Sequence, residues 1–346
     1  MSTLDTHASH KHDNVTSVQG PKDDSQLPHV TIDTIIVALA FDSGYAMPGA
    51  VTLRSIADNV KGPVMIYVFD CGLRAEDKQK IEASMPHSPD LTLVFMGLPT
   101  DSIASKLGPA WARIDMMKSL PGERLIYLDA DTLVRKDLRD LWNTDLEGHP
   151  IAAVRDVVMP MGHSRVPRGE YFNSGVLLLD LVKIRAVFPE LEKLCYEMKD
   201  AKYYDQDPLN LYFRGDQLWL NLTWNAQVIG TVAECYDVER MKLPLDQLKD
   251  PAIVHFYGQA SPPFSMVLNP FGSPYFAKPW GYAGSGGNPY EKDWWDTLER
   301  TAWKGLRETS EWKESLVQTA MKQFKEAEGE FIRRTTIELG WGDSFL

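Results

Sequence analysis

Asp129 and Asp131 stand one residue apart inside an apolar run, Leu125–Val134 (LIYLDADTLV). The run reads as a buried strand, and in an open α/β sheet ligands gather at the carboxyl ends of the strands. Two carboxylates emerging there are costly to bury without compensation. A hard divalent cation shared between them removes that cost, and it can also bridge the two phosphates of a nucleotide diphosphate. A pair of solvated turn aspartates is the plain alternative; the apolar run before the pair favours the metal.

Strands and helices alternate around this pair. Thr34–Phe41, Pro63–Asp70, Leu91–Met96 and Arg124–Asp129 read as strands, and the first is apolar throughout, as expected of a strand covered on both faces. Between them, Leu53, Ile56, Ala57 and Val60 recur at helical spacing after Pro48, and Arg74–Ser84 and Pro109–Leu120 read as helices. This alternation implies parallel βαβ units. Further on, Ile151–Arg155, Gly175–Asp180 and Ile253–Tyr257 read as short strands, and Leu181–Lys199 and Asp205–Phe213 as helices. Residues 258–292, rich in Gly, Pro, Ser and aromatics, read as a long, partly ordered loop. From Glu291 helical patterning returns, with Trp295, Leu298, Ala302 and Leu306 expected on one face.

Bulk properties narrow the function. The chain has 346 residues and a formal net charge of -12, which argues against a nucleic-acid partner. A nucleotide substrate stays compatible, because a bound cation supplies positive charge locally. Cys71, Cys195 and Cys235 show no CxxC spacing, so reduced thiols are expected rather than disulfides or zinc. No apolar run is long enough to span a membrane, and residues 1–30 lack the apolar segment of a secretory signal. A cytoplasmic location and a disordered tail over 1–30 are therefore the expectations; His7, His10 and His12 fall in that tail.

Five blocks in order, from Thr34 to Gly258, resemble the family 8 retaining glycosyltransferases, the group of glycogenin and the bacterial lipopolysaccharide galactosyltransferases. In Ala38–Tyr45 the resemblance implies a uridine pocket, with Ala40 lining it, Asp42 accepting from the uracil N–H and Tyr45 stacking on the base. Gly44 departs from the asparagine often found in the family. Trp111-Ala112-Arg113 resembles Tyr-Ala-Arg, placing Arg113 at the diphosphate or donor sugar. Asp129 and Asp131 would bind metal, with Ala130 beside the donor. Tyr171–Val176 resembles the family's FN[AS]GV segment. There Asn173 and Ser174 would contact the donor sugar, joined by Asp156 upstream, and Gly175 would admit close backbone approach. Tyr204–Asn210 resembles DQDxLN, putting Gln206 and Asp207 beside the anomeric carbon, while Asp205 also reads as a helix cap.

His255-Phe256-Tyr257-Gly258 resembles HFxG, making His255 the third metal ligand and Gly258 a donor contact. Two carboxylates and an imidazole suit Mn²⁺ better than Mg²⁺, which is the second choice. The family continues with Lys-Pro-Trp, but this chain has Ser261 and Pro263 at the lysine and tryptophan positions. A Lys278-Pro279-Trp280 occurs later, as if an insertion displaced the motif and Lys278 still reached the phosphates.

The resemblance implies a GT-A type, mostly parallel Rossmann-like α/β sheet over 31–285 with a helical extension over 286–346. The implied reaction is retaining transfer of glucose or galactose from a UDP-sugar to an unidentified sugar, glycan or small-molecule hydroxyl. Front-face departure assisted by Gln206 is the preferred mechanism, and double displacement through Asp207 the alternative. Oligomeric state stays open, a homodimer included. Two other readings compete. Asp129-x-Asp131-x-Thr would also match haloacid-dehalogenase-like phosphatases, with Asp129 as nucleophile, although Asp23-Asp24 lies in the tail rather than after the motif. A catalytically weak UDP-sugar-binding module is the other.

Overall fold

The computed structural model describes residues 33–230, 238–257, 259–260, 275–276, 278–281 and 287–338. The tail 1–30, Cys235, Gly258, Ser261 and Pro263 lie outside the described residues.

The strands in chain order are β1 Ile35–Phe41, β2 Val64–Asp70, β3 Leu91–Gly97, β4 Arg124–Leu128, β5 Thr132–Val134 and β6 Ile151–Arg155, then β7 Phe172–Asp180, β8 Gln217–Trp219, β9 Ala226–Gln227 and β10 Ile253–His255, with β11 Gln259–Ala260 and β12 Tyr275–Phe276 last. Seven of them form the main sheet, in the order β3-β2-β1-β4-β7-β6-β8. The first four are mutually parallel, β7 is antiparallel to both of its neighbours, and β8 is parallel to β6. The period-2 side-chain alternation of β1 explains why it is apolar throughout. Ile36 and Ala38 face one core layer, with the helix Ala112–Ser119. Ile35, Val37 and Leu39 face the other, with the helix Ala46–Asn59. This is the mixed, mostly parallel GT-A type architecture expected.

A second sheet, β5-β10-β9, sits at the carboxyl end of β4. The chain leaves β4 at Leu128, passes through Asp129-Ala130-Asp131 and enters β5. There Thr132 pairs with His255 in antiparallel register, and the Phe256 amide donates to the Asp131 carbonyl at 3.0 Å. This small sheet brings a distant imidazole beside the carboxylates.

Four local expectations are corrected. The helix expected over Leu181–Lys199 is two helices, Leu181–Ala186 and Phe188–Glu197, because Pro189 has no N–H to continue the first. The β7 strand starts at Phe172 rather than Gly175. The C-terminal stripe does not lie on one helix: Glu291–Leu298 ends first, and Gly305, at φ 75, turns the chain before Leu306. Trp295 and Leu298 are nonetheless buried, in a cluster with Val51, Leu133, Val254 and Phe256. Lastly, Asp205 precedes its helix without a side-chain capping bond. Among the described residues no helix is long and apolar enough to cross a membrane.

Candidate active site

Asp129, Asp131 and His255 each bring a ligand atom into a space 4.8 Å across. His255 Nε2 lies 3.1 Å from Asp131 Oδ1 and 3.7 Å from Asp129 Oδ2. Among the described residues, neither Nε2 nor Asp131 Oδ1 has a hydrogen-bond partner, although both atoms are buried. Unsatisfied buried polar atoms cost about 1–3 kcal/mol each, so this arrangement needs an occupant. A divalent cation fits: two carboxylate oxygens and an imidazole nitrogen would hold it.

The orientation of the imidazole is fixed from behind. Asp156 Oδ2 accepts from Asn173 Nδ2 at 3.3 Å, which turns Asn173 Oδ1 toward Asn225 Nδ2 at 2.9 Å. Asn225 Oδ1 is then left to accept from His255 Nδ1 at 3.0 Å. With Nδ1 carrying the proton, Nε2 presents its lone pair to the aspartates, the arrangement metal-binding histidines use. Sequence reasoning missed Asn225, since it lies on a short helical turn outside every recognised block.

Gly175 explains why this can be compact. A Cβ there would stand 2.2 Å from His255 Cε1 and 2.8 Å from Asp129 Oδ2. The β6–β7 register jumps at this place, from Ala153↔Leu177 to Val154↔Asn173. On the other edge of β7 the Gly175 carbonyl accepts from Asp129 N at 2.8 Å, continuing the β4–β7 ladder to the first aspartate. Glycine was expected to admit a ligand; what it admits here is the close approach of the His255 and Asp129 side chains.

Arg113 is buried and committed. One guanidinium nitrogen donates to Asp129 Oδ1 at 2.7 Å, another lies 3.1 Å from Asp205 Oδ2, and the group stacks over Tyr127 at 4.3 Å. Tyr127 Oη also donates to Asp129 Oδ1, at 2.7 Å. Burial pushes the Asp205 carboxyl up to about 7 against the pull of Arg113, and the nearby Asp129 charge adds to the rise. Arg113, expected at the diphosphate or donor sugar, holds Asp129 in this structure, and Asp205 lies against it as a counter-ion rather than as a cap.

Lys278 arrives where the displaced-motif reading needs it. Gln259 and Ala260 pair with Phe276 and Tyr275, so the chain on either side of 261–274 is tied together. Two residues beyond this ladder, the Lys278 ammonium lies against Asp131 Oδ2. Burial alone would raise the Asp131 carboxyl, but the Lys278 ammonium outweighs it and holds it well below the usual carboxylate range.

Gln206 opens its helix with the side chain pinned. Its Oε1 accepts from the Ser174 amide and hydroxyl at 3.0 and 3.1 Å, and Nε2 lies 3.4 Å from Asp156 Oδ2. Asp207, expected beside it as a candidate for chemistry, is saturated instead. Oδ1 accepts from Tyr171 Oη and contacts His163 Nε2 at 2.8 Å, while Oδ2 accepts from Tyr203 N at 3.2 Å. On the uridine side, Asp42 Oδ1 accepts from Gly44 N at 2.9 Å, and Tyr45 is 40% exposed, leaving a ring face for a base. Ala40, at the end of β1, is half-buried, and Ala130 is buried between the two aspartates.

The family model described as glycosyl transferase family 8 matches residues 102–263, a span that holds Arg113, both aspartates, Asn173, Gln206 and His255 but stops short of Lys278. The Escherichia coli (strain K12) lipopolysaccharide 1,2-glucosyltransferase is 30% identical over 258 residues, covering 69% of this chain and 76% of that protein. General stress protein A of Bacillus subtilis (strain 168) is 28% identical over 249 residues, covering 62% of this chain and 81% of that protein. Among solved structures, the galactosyltransferase LgtC in complex with donor and acceptor sugar analogs superposes with a TM-score of 0.60 at 22% identity, over 78% of this chain and 99% of that one.

The chain belongs to glycosyl transferase family 8 and is a glycosyltransferase. That membership overturns the phosphatase reading of Asp129-x-Asp131-x-Thr.

Proposed function

We propose that the protein transfers a hexosyl group, glucose or galactose, from a UDP-sugar to an acceptor hydroxyl with retention of anomeric configuration, and that it uses Mn²⁺. One observation carries the reading: His255 Nε2, Asp131 Oδ1 and Asp129 converge with no hydrogen bond between the imidazole and the acids, and Lys278 stands at their edge. The donor classes follow the names of the two relatives, a glucosyltransferase and a galactosyltransferase.

Asp129, Asp131 and His255 would hold the cation, which when bound supplies Lewis acidity toward the diphosphate. Lys278 is poised to pass from Asp131 to a phosphate oxygen. Tyr45 and Asp42 would read the uracil, and Asn173, Ser174 and Asp156 orient the sugar, with Gly258 and Ala130 as backbone contacts. The bond from the anomeric carbon to the diphosphate oxygen breaks, and the acceptor oxygen bonds that carbon on the same face. The acceptor proton passes to the departing phosphate. The Gln206 amide, held by Ser174 and Asp156, offers a fixed dipole to the oxocarbenium-like centre. Asp207, with both oxygens occupied, positions the Gln206 helix, which favours front-face departure over double displacement.

A panel of UDP-sugars assayed for UDP release, with Mn²⁺ and with chelator, tests the reading. Release from UDP-glucose or UDP-galactose that stops with chelator supports it; release of inorganic phosphate without UDP contradicts it.

A further inference from the structure

We propose that Trp294 is a positioning residue whose indole seats the Lys278-Pro279-Trp280 turn and so fixes how the Lys278 ammonium meets Asp131 and a bound diphosphate. The inference rests on the UDP-sugar reading above for its diphosphate part.

Among the described residues, the segment 278–281 has one backbone hydrogen bond, and it is internal, from Gly281 N to Lys278 O at 3.0 Å. Its anchor is aromatic. The Trp280 ring stacks on Trp294 with centroids 5.1 Å apart and planes 29° apart, and Trp294 is fully buried. Trp294 in turn meets Trp295 edge-on at 4.8 Å, and Trp295 meets Trp312 at 5.9 Å, where the long helix Ser310–Glu338 begins. The C-terminal extension therefore reaches the Lys278-Pro279-Trp280 turn through the Trp294 ring.

The same ring rests on the segments that carry the metal-ligating side chains. Trp294 shares its apolar cluster with Leu133, two residues past Asp131, and with Val254 and Phe256, which flank His255. Trp280 also lies edge-on to Tyr45, at 6.2 Å, and the Lys278 ammonium lies 5.8 Å from the Trp280 centroid. Lys278 is thus referenced to Asp131, His255 and Tyr45 through a single rigid packing unit. Rigid aromatic packing of this kind sets geometry that a flexible lysine stem cannot set alone. Among the described residues Trp294 Nε1 has no acceptor, so the ring face rather than the N–H holds the seat, and phenylalanine should preserve much of it.

The test is a double-mutant cycle read by calorimetric binding of UDP with Mn²⁺, paired with amide hydrogen exchange over residues 275–281. Trp294→Leu should weaken UDP binding about tenfold in the wild-type background but less than about twofold beside Lys278→Met, because coupled residues are non-additive. Exchange over 275–281 should rise while that of β1 and β4 is unchanged, and Trp294→Phe should restore both. If Trp294→Leu does not fold, Trp280→Leu runs the same cycle from a half-buried position. Equal losses in both lysine backgrounds, or unaltered exchange over 275–281, would overturn the positioning role. A wild-type protein that binds no UDP would instead sink the functional reading, and the exchange arm would still decide the role of Trp294.

Discussion

Asn225 Oδ1 holds His255 Nδ1 at 3.0 Å and leaves Nε2 as the atom that faces Asp131. The amide is itself oriented by Asn173 and, behind it, by Asp156. The imidazole edge that faces the two carboxylates is therefore set by a polar relay on the far side of the ring.

Asn225→Ala should lower Mn²⁺ affinity by about 10- to 100-fold, the usual cost of losing a partner behind a ligand. Titration of Mn²⁺ by electron paramagnetic resonance measures it. Unchanged affinity would show that the imidazole needs no such support.

Gly175→Ala puts a methyl group 2.2 Å from His255 Cε1 and 2.8 Å from Asp129 Oδ2. Overpacking should cost about 1–3 kcal/mol in denaturant melts. Mn²⁺ binding should fall further than stability does, since the displaced atoms belong to the ligands. A variant that binds Mn²⁺ normally would mean that backbone shifts absorb the methyl.

Asp205 resists ionisation in the folded state, with its carboxyl raised to about 7 from 3.8. Between those values the native state binds more protons than the unfolded chain, so this group's contribution to stability falls as pH rises from about 4 to about 7 and is level above. Asp205→Asn removes that dependence. Urea melts of metal-free protein should show the variant gaining on the wild type between pH 4.5 and pH 7.5, by up to a few kcal/mol. A constant difference across that range would count against the raised carboxyl.

On the proposed mechanism, Gln206→Ala removes the amide dipole that would stabilise the reacting carbon and leaves Asp42, Tyr45 and Lys278 in place. We expect kcat to fall by about 100-fold or more, with KM for the donor within about threefold. Steady-state kinetics over donor concentration separates the two. A variant with normal kcat and a raised KM would make Gln206 a binding residue only.

Much of this was legible in the sequence, for physical reasons. The apolar run of β4 and the two aspartates after it placed the site at the carboxyl end of a buried strand. The ordered blocks brought in His255 and Gln206 from far along the chain. Lys278 could be suspected because its Lys-Pro-Trp was intact, but only the β11–β12 ladder shows how the chain returns to Asp131. What stayed hidden were side chains whose roles come from a partner rather than a pattern. Asn225 carries no signal until His255 is seen beside it. Asp205 reads as a cap from its neighbours in sequence, yet it faces Arg113 from a different element. Asp207 reads as chemistry from its neighbour Gln206, yet Tyr171 and His163 claim it. The C-terminal stripe failed because a turn separates Leu298 from Leu306, both of which pack at one core, and leaves Ala302 exposed, which helical periodicity cannot see.

Calorimetric titration of UDP into the protein, with Mn²⁺ and then with chelator, asks whether a cation at Asp129, Asp131 and His255 helps bind the diphosphate. Mn²⁺ should raise UDP affinity at least tenfold, about 1.4 kcal/mol or more, and Asp131→Ala should abolish the gain. Equal UDP affinity in the two conditions would contradict it.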